Sequence, residues 1–96
     1  MNEALDVLCR LTADGFSCDV TVGSDARATQ HVVTVSQEAL ARLAPGHYDP
    51  ERLVRASFAY LLDREPRESI LPSFELPVIE RYFPGYEAQI RRDMAL

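Results

Sequence analysis

The sequence contains no lysine and no tryptophan, so all ten of its basic side chains are arginine. It also contains a single asparagine. Arginine is favoured by GC-rich codons, whereas lysine and asparagine are favoured by AT-rich ones. This composition is therefore typical of a protein encoded by a GC-rich bacterial genome.

Long hydrophobic runs are also missing, since no apolar stretch reaches the roughly 18 residues that a membrane-spanning helix needs. The start of the chain lacks the basic region and the apolar stretch of a signal peptide. We therefore expect a soluble, cytoplasmic protein. Its 96 residues, 47% of them hydrophobic, predict one domain that spans residues 1–96.

Glycine is scarce, with four residues, and the sequence has no glycine-rich phosphate loop, no Gly-x-Ser-x-Gly motif and no His-Glu-x-x-His motif. The available general bases are His31, inside a β-branched run, and His47, just before a helix cap. We expect no enzymatic activity. An enzyme acting on a small ligand would need a pocket in which His31 or His47 meets a carboxylate within hydrogen-bonding distance.

The two cysteines, Cys9 and Cys18, are expected to stay reduced as small buried residues, because cytoplasmic thiols seldom form structural disulfides. A zinc site with His31 and His47 would have eight residues between the cysteines and fifteen between the histidines. Structural zinc sites use much closer pairs. The sequence therefore predicts no metal site and no cofactor.

The first part of the chain predicts a helix followed by a β-hairpin. Asn2 can cap a helix whose apolar residues recur at helical spacing, and Gly15 can end it. Alternation with period two then predicts a strand over 16–22, and turn residues lead into a β-branched strand over 28–35.

The middle of the chain predicts two capped helices. Ser36 precedes the first, which should reach about Ala44. Asp49 and Pro50 are typical of the first residues of the second, central helix, and Pro66 sets the limit of its C-terminal end.

The last third contains four prolines and predicts short helical segments at 67–71, 77–83 and 86–94. The fold class is therefore α+β, with an N-terminal helix, a β-hairpin, two capped helices and a proline-punctuated helical tail.

A lone two-stranded hairpin is only marginally stable in water and leaves two open edges. We expect either that helices of the same chain cover the hairpin or that it adds a strand from a second copy or a protein partner. The candidate strand-edge interface consists of Thr29, His31, Val33 and Val35. A second candidate contact surface is aromatic and consists of Phe74, Tyr82, Phe83 and Tyr86.

A strand, a short helix, a turn and a longer helix follow one another over residues 29–64, and this order resembles the ribbon-helix-helix family. The resemblance implies that two chains pair this strand and that it reads the major groove of DNA. The strand carries no arginine, and residues 1–46 and 47–96 are each net acidic. Since DNA affinity comes mainly from neutralising phosphates, we expect no binding to nucleic acid.

A separate resemblance lies in the tail, where Ile70 to Pro84 is similar to small uncharacterised bacterial proteins. It implies a bacterial cytoplasmic origin and no particular activity. The sequence thus predicts a non-enzymatic interaction or regulatory module that self-associates or binds a protein partner. We expect no association with a membrane. The alternative is a DNA-binding regulator of the ribbon-helix-helix type.

Overall fold

The computed structural model describes residues 4–95, which form one four-stranded sheet with helices packed against one of its faces. The strands are β1 Leu5–Leu11, β2 Gly15–Val22, β3 Thr29–Ser36 and β4 Ser73–Glu75. The helices are α1 Gln37–Leu43, α2 Pro50–Leu62, α3 Ile79–Tyr82 and α4 Tyr86–Met94, and single 3₁₀ turns lie at Arg67–Ser69 and Leu76–Val78. Strands β1–β3 precede the helices and only the short β4 lies among them, an arrangement consistent with the predicted α+β class.

The strands lie side by side in chain order, with β1, β2 and β3 antiparallel and β4 parallel to β3. The predicted hairpin is confirmed, since β2 pairs with β3 over its whole length. Alternate side chains of β2 face the core, where Cys18, Val20 and Val22 are buried. Helix α2 packs on this face against β1 and β2, and α4 packs on α2.

The predicted N-terminal helix is wrong, because Leu5–Leu11 forms β1 instead. The apolar residues of this segment fit a helical period as well as a strand period. The strand forms because all seven residues pair with β2. Thr12 donates its N–H to Gly15 O at 2.8 Å in the turn between the strands. Asn2, the predicted cap, lies outside the described residues.

The two capped helices are confirmed. Ser36 Oγ accepts a hydrogen bond from Ala39 N–H at 3.0 Å at the start of α1, and Asp49 Oδ1 accepts one from Glu51 N–H at 3.0 Å at the start of α2. Each bond satisfies an amide that the helix itself leaves unpaired. Pro50 occupies the first position of α2, where a proline removes no helical hydrogen bond.

The tail contains the predicted short helical segments and one element that its sequence pattern does not predict. This element is β4, a three-residue strand that adds to β3 between Pro72 and Pro77. Within the tail, Glu80 accepts hydrogen bonds from the amides of Gly85 and Glu87 at 2.9 and 2.8 Å. These bonds join α3 to the start of α4.

The expectation that the cysteines stay reduced is also wrong, because Cys9 and Cys18 form a disulfide. The two residues are direct partners in the register of β1 and β2, with Cα atoms 3.9 Å apart. A helix at Cys9, as the apolar spacing predicts, would not form the strand pairing that brings the two sulfurs together. Structural disulfides are typical of oxidising compartments, so the bond does not match the predicted cytoplasmic location.

The disulfide predicts a stability difference. Replacing both cysteines (Cys9→Ala with Cys18→Ala) should lower the free energy of unfolding by about 2.5 kcal/mol, since a loop with a sequence separation of 9 is no longer closed in the unfolded chain. Urea unfolding followed by circular dichroism measures this difference. The wild-type protein in excess dithiothreitol is the matched control and should lose a similar amount. An unfolding midpoint that reductant leaves unchanged would contradict the prediction.

Candidate functional site

The predicted strand-edge residues lie in the core. The side chains of His31, Val33 and Val35 are buried and that of Thr29 is half-buried. Strand β3 lies between β2 and β4, and the opposite side chains, Gln30, Val32 and Thr34, face outward. Strand β4 therefore covers the middle of this edge, and the β-branched face of β3 turns inward. The strand that would pair between chains in a ribbon-helix-helix protein here pairs within one chain.

Both histidines are held by main-chain carbonyls. His31 Nδ1 lies 2.7 Å from Leu71 O, and its Nε2 lies 2.9 Å from Thr29 Oγ1. Because a carbonyl oxygen only accepts, Nδ1 carries a proton and donates it, and the Thr29 hydroxyl can donate to Nε2. The ring also packs on Phe58, with centroids 5.4 Å apart. His47 Nε2 bonds in the same way to Met94 O at 2.6 Å.

The His31 bond fixes the segment that forms one wall of an open cavity of about 260 Å³, which we call the apolar groove. The groove is formed by the end of α2, the segment before β4, and the 3₁₀ turn and α3 that follow it. Its lining residues are Leu61, Glu65, Ser69, Ile70, Leu71, Phe74, Val78, Ile79, Tyr82 and Phe83.

Three of the four predicted aromatic contact residues line the apolar groove, namely Phe74, Tyr82 and Phe83. Tyr82 is 65% exposed and stands at the surface of the groove. Tyr86 is fully buried instead, with its hydroxyl 2.7 Å from Ser57 Oγ. The sequence pattern groups Tyr86 with the other three because it does not indicate what the last helix packs against. In the structure α4 packs against α2, and this contact buries Tyr86.

The chemistry of the groove is simple. Eight of its ten lining residues are apolar or aromatic. Among the lining residues within 4–95, Glu65 is the one that carries a charge. Glu65 is half-buried and makes no ion pair with another residue in 4–95. The groove thus offers an apolar surface with one uncompensated negative charge beside it.

A second exposed feature is the outer edge of the sheet, formed by β1, which we call the β1 edge. Thr12 N–H donates to Gly15 O and Gly23 N–H donates to Ala4 O, and these bonds fix which residues of β1 bond to β2. In an antiparallel pair every second residue is hydrogen-bonded. The main-chain groups of Val7, Cys9 and Leu11 therefore point away from β2, and within residues 4–95 no other strand meets them.

The side chains of β1 alternate between the two faces of the sheet. Asp6, Leu8 and Arg10 lie on the outer face, where Leu8 is 70% exposed and Arg10 Nη1 lies 2.9 Å from Asp19 Oδ2. Leu11, at the end of the strand, is 71% exposed. The sequence analysis misses this edge, because it predicts a helix for the segment. The period-two recurrence of its apolar residues is the signal that indicates a strand here.

One prediction concerns His31. His31→Leu should lower the free energy of unfolding by about 1 kcal/mol, because the Leu71 carbonyl loses the donor that the buried His31 ring supplies. Amide exchange of Phe74 in β4 should rise more than that of β2 amides, since the bond holds the segment before β4. Thr29→Val is the control that removes only the Nε2 partner and should cost less. Equal costs for the two variants would contradict this role for the Leu71 bond.

Another prediction follows from Tyr86, because its burial raises the pKa of its hydroxyl group above the ordinary value of 10.0. The folded protein thus keeps a proton that the unfolded chain releases, so this contribution to stability is complete below pH 10 and is lost as the pH rises further. We expect a loss of about 1 kcal/mol between pH 10 and pH 11.

Urea unfolding at several pH values measures this loss. Tyr86→Phe serves as the control, because it lacks the ionising hydroxyl and should show a flatter dependence on pH. The same slope in both proteins would rule out Tyr86 as its source.

Comparison of the chain with protein-family models, with curated proteins and with solved structures found no match. Among residues 4–95, no helix is long and apolar enough to cross a membrane. The same residues include no group of three or more His, Cys, Asp or Glu side chains that can hold a metal ion. The geometry and chemistry of the groove and of the β1 edge therefore define what each can bind.

Proposed function

We propose that this protein is a non-enzymatic interaction module that binds a segment of a protein partner in the apolar groove. The observation that carries the proposal is the open, largely apolar cavity beside the exposed ring of Tyr82. Large apolar side chains that fill such pockets supply most of the affinity in many protein interfaces. A non-enzymatic role is supported by both histidines, whose ring nitrogens bond to main-chain carbonyls in structural contacts.

The size and charge of the groove define the partner segment. A cavity of about 260 Å³ accommodates one large apolar side chain rather than an extended ligand. Glu65 beside it favours a segment in which a basic residue follows or precedes that side chain. The proposed partner motif is therefore an aromatic or large aliphatic residue next to arginine or lysine.

The absence of tryptophan from this chain provides a direct assay, since tryptophan emission then reports only on an added peptide. We expect the capped peptide Gly-Arg-Trp-Gly to bind with a Kd of about 1 mM and with a blue shift of its emission. The capped peptide Gly-Glu-Trp-Gly should bind about threefold more weakly, because of its repulsion from Glu65.

Two exposed tyrosines give a matched pair of variants. Tyr82→Asp should abolish peptide binding, whereas Tyr48→Asp should leave it unchanged, because Tyr48 is 89% exposed and does not line the groove. Glu65→Gln should remove the preference between the two peptides. The proposal fails if neither peptide shifts its emission or if both tyrosine variants have the same effect.

A further inference from the structure

The two edges of the sheet differ in a way that partner binding in the groove does not explain. Natural proteins protect exposed strand edges by shortening them or by placing proline and charge there, because an open edge pairs with other strands. At one edge, β4 has three residues and lies between Pro72 and Pro77. At the other, β1 has seven residues and exposes Leu8 and Leu11.

We propose that two copies of this chain associate through their β1 edges, which pair antiparallel about a two-fold axis at Leu8. The result is one continuous eight-stranded sheet with the helices of both copies on the same face. The inference goes beyond the proposed function, since the β1 edge and the apolar groove lie at opposite ends of the strand order.

The main chain permits this pairing. Val7, Cys9 and Leu11 point their N–H and C=O groups away from β2. With Leu8 opposite Leu8 of the second copy, Val7 is opposite Cys9 of the second copy, and such pairs exchange about four main-chain hydrogen bonds around the axis. At the ends, Leu5 O already accepts from Arg55 Nη1 at 2.8 Å, and a carbonyl oxygen can accept a second bond from Leu11 of the second copy.

The side chains favour the same register. Asp6 and Arg10 lie two residues on either side of Leu8 on the outer face, so each Asp6 faces Arg10 of the second copy. The two Leu8 side chains then cover one another at the axis. On the inner face, the exposed Leu11 lies against Leu5 of the second copy. The surface is complementary to itself, as a two-fold interface requires.

Other registers lose these contacts. A slip of one residue sets inward-facing against outward-facing side chains and mismatches the hydrogen-bonding groups. A slip of two residues centres the axis on Val7 or on Cys9, which places Leu8 opposite Asp6 or opposite Arg10. Opposite charges and apolar residues therefore match in the register centred on Leu8.

Sedimentation equilibrium over a range of concentrations tests the association. Leu8→Asp places two carboxylates at the axis and should raise the dimer Kd by roughly tenfold or more. Val32→Asp is the matched control, because Val32 is also exposed on the outer face, at 40%, but lies two strands inside the sheet. It should leave the Kd unchanged. Circular dichroism verifies that both variants are folded.

The register has a separate test. Asp6→Arg should weaken the dimer roughly tenfold, since the introduced guanidinium would face Arg10 of the second copy, and adding Arg10→Asp should restore most of the affinity. In amide exchange, Val7 and Cys9 should become protected as the protein concentration rises, whereas Leu8 should be protected throughout by its bond to β2. A protein that stays monomeric at millimolar concentration, equal effects of Leu8→Asp and Val32→Asp, or no rescue by the double change would overturn the proposal.

Discussion

The hydrogen bond between the ring of His31 and the carbonyl of Leu71 joins two parts of the chain that lie forty residues apart. The His31 ring is buried and would be costly to bury without a hydrogen-bond partner, and the Leu71 carbonyl is one of its partners. By satisfying each other they allow the proline-rich segment to lie against the sheet, where β4 adds to β3 in parallel. The wall of the apolar groove that contains Leu71 and Phe74 follows from this bond. His31, which the sequence offers as a candidate general base, thus makes a structural contact that holds one wall of the groove.

The addition of β4 divides the sheet into one protected and one open edge. Proline residues on either side keep β4 to three residues, so this edge offers little to a further strand. At the other edge, β1 is tied to β2 by its ladder and by the Cys9–Cys18 disulfide. These links hold β1 on its β2 side, and within residues 4–95 no strand pairs with the N–H and C=O groups on its other side. A rigid strand with one open edge is well suited to pairing with a second strand, because little conformational entropy remains to be lost.

The acidic charge of the chain has a consistent structural counterpart. Some of the arginine side chains in residues 4–95 form ion pairs with carboxylates, as Arg55 does with Glu51 and Arg42 with Glu87. The sequence carries a net negative charge on each half of the chain, 1–46 and 47–96. Glu65 is the carboxylate that lines the groove, and it makes no ion pair with another residue in 4–95. Its charge is the basis for the basic residue in the proposed partner motif.

The sequence by itself determined the features that depend on neighbouring residues. Ser36, Asp49 and Pro50 set the starts of α1 and α2, because a cap acts on amides two or three residues away, and the alternation in β2 set its inner face. Only the tertiary structure decided the state of Leu5–Leu11, whose apolar residues suit a helix and a strand equally until β2 lies beside them. The disulfide, the burial of Tyr86 and the addition of β4 followed from such distant contacts. These contacts join residues 9 or more positions apart, beyond the few neighbours on which a cap or an alternation depends, so no local pattern records them.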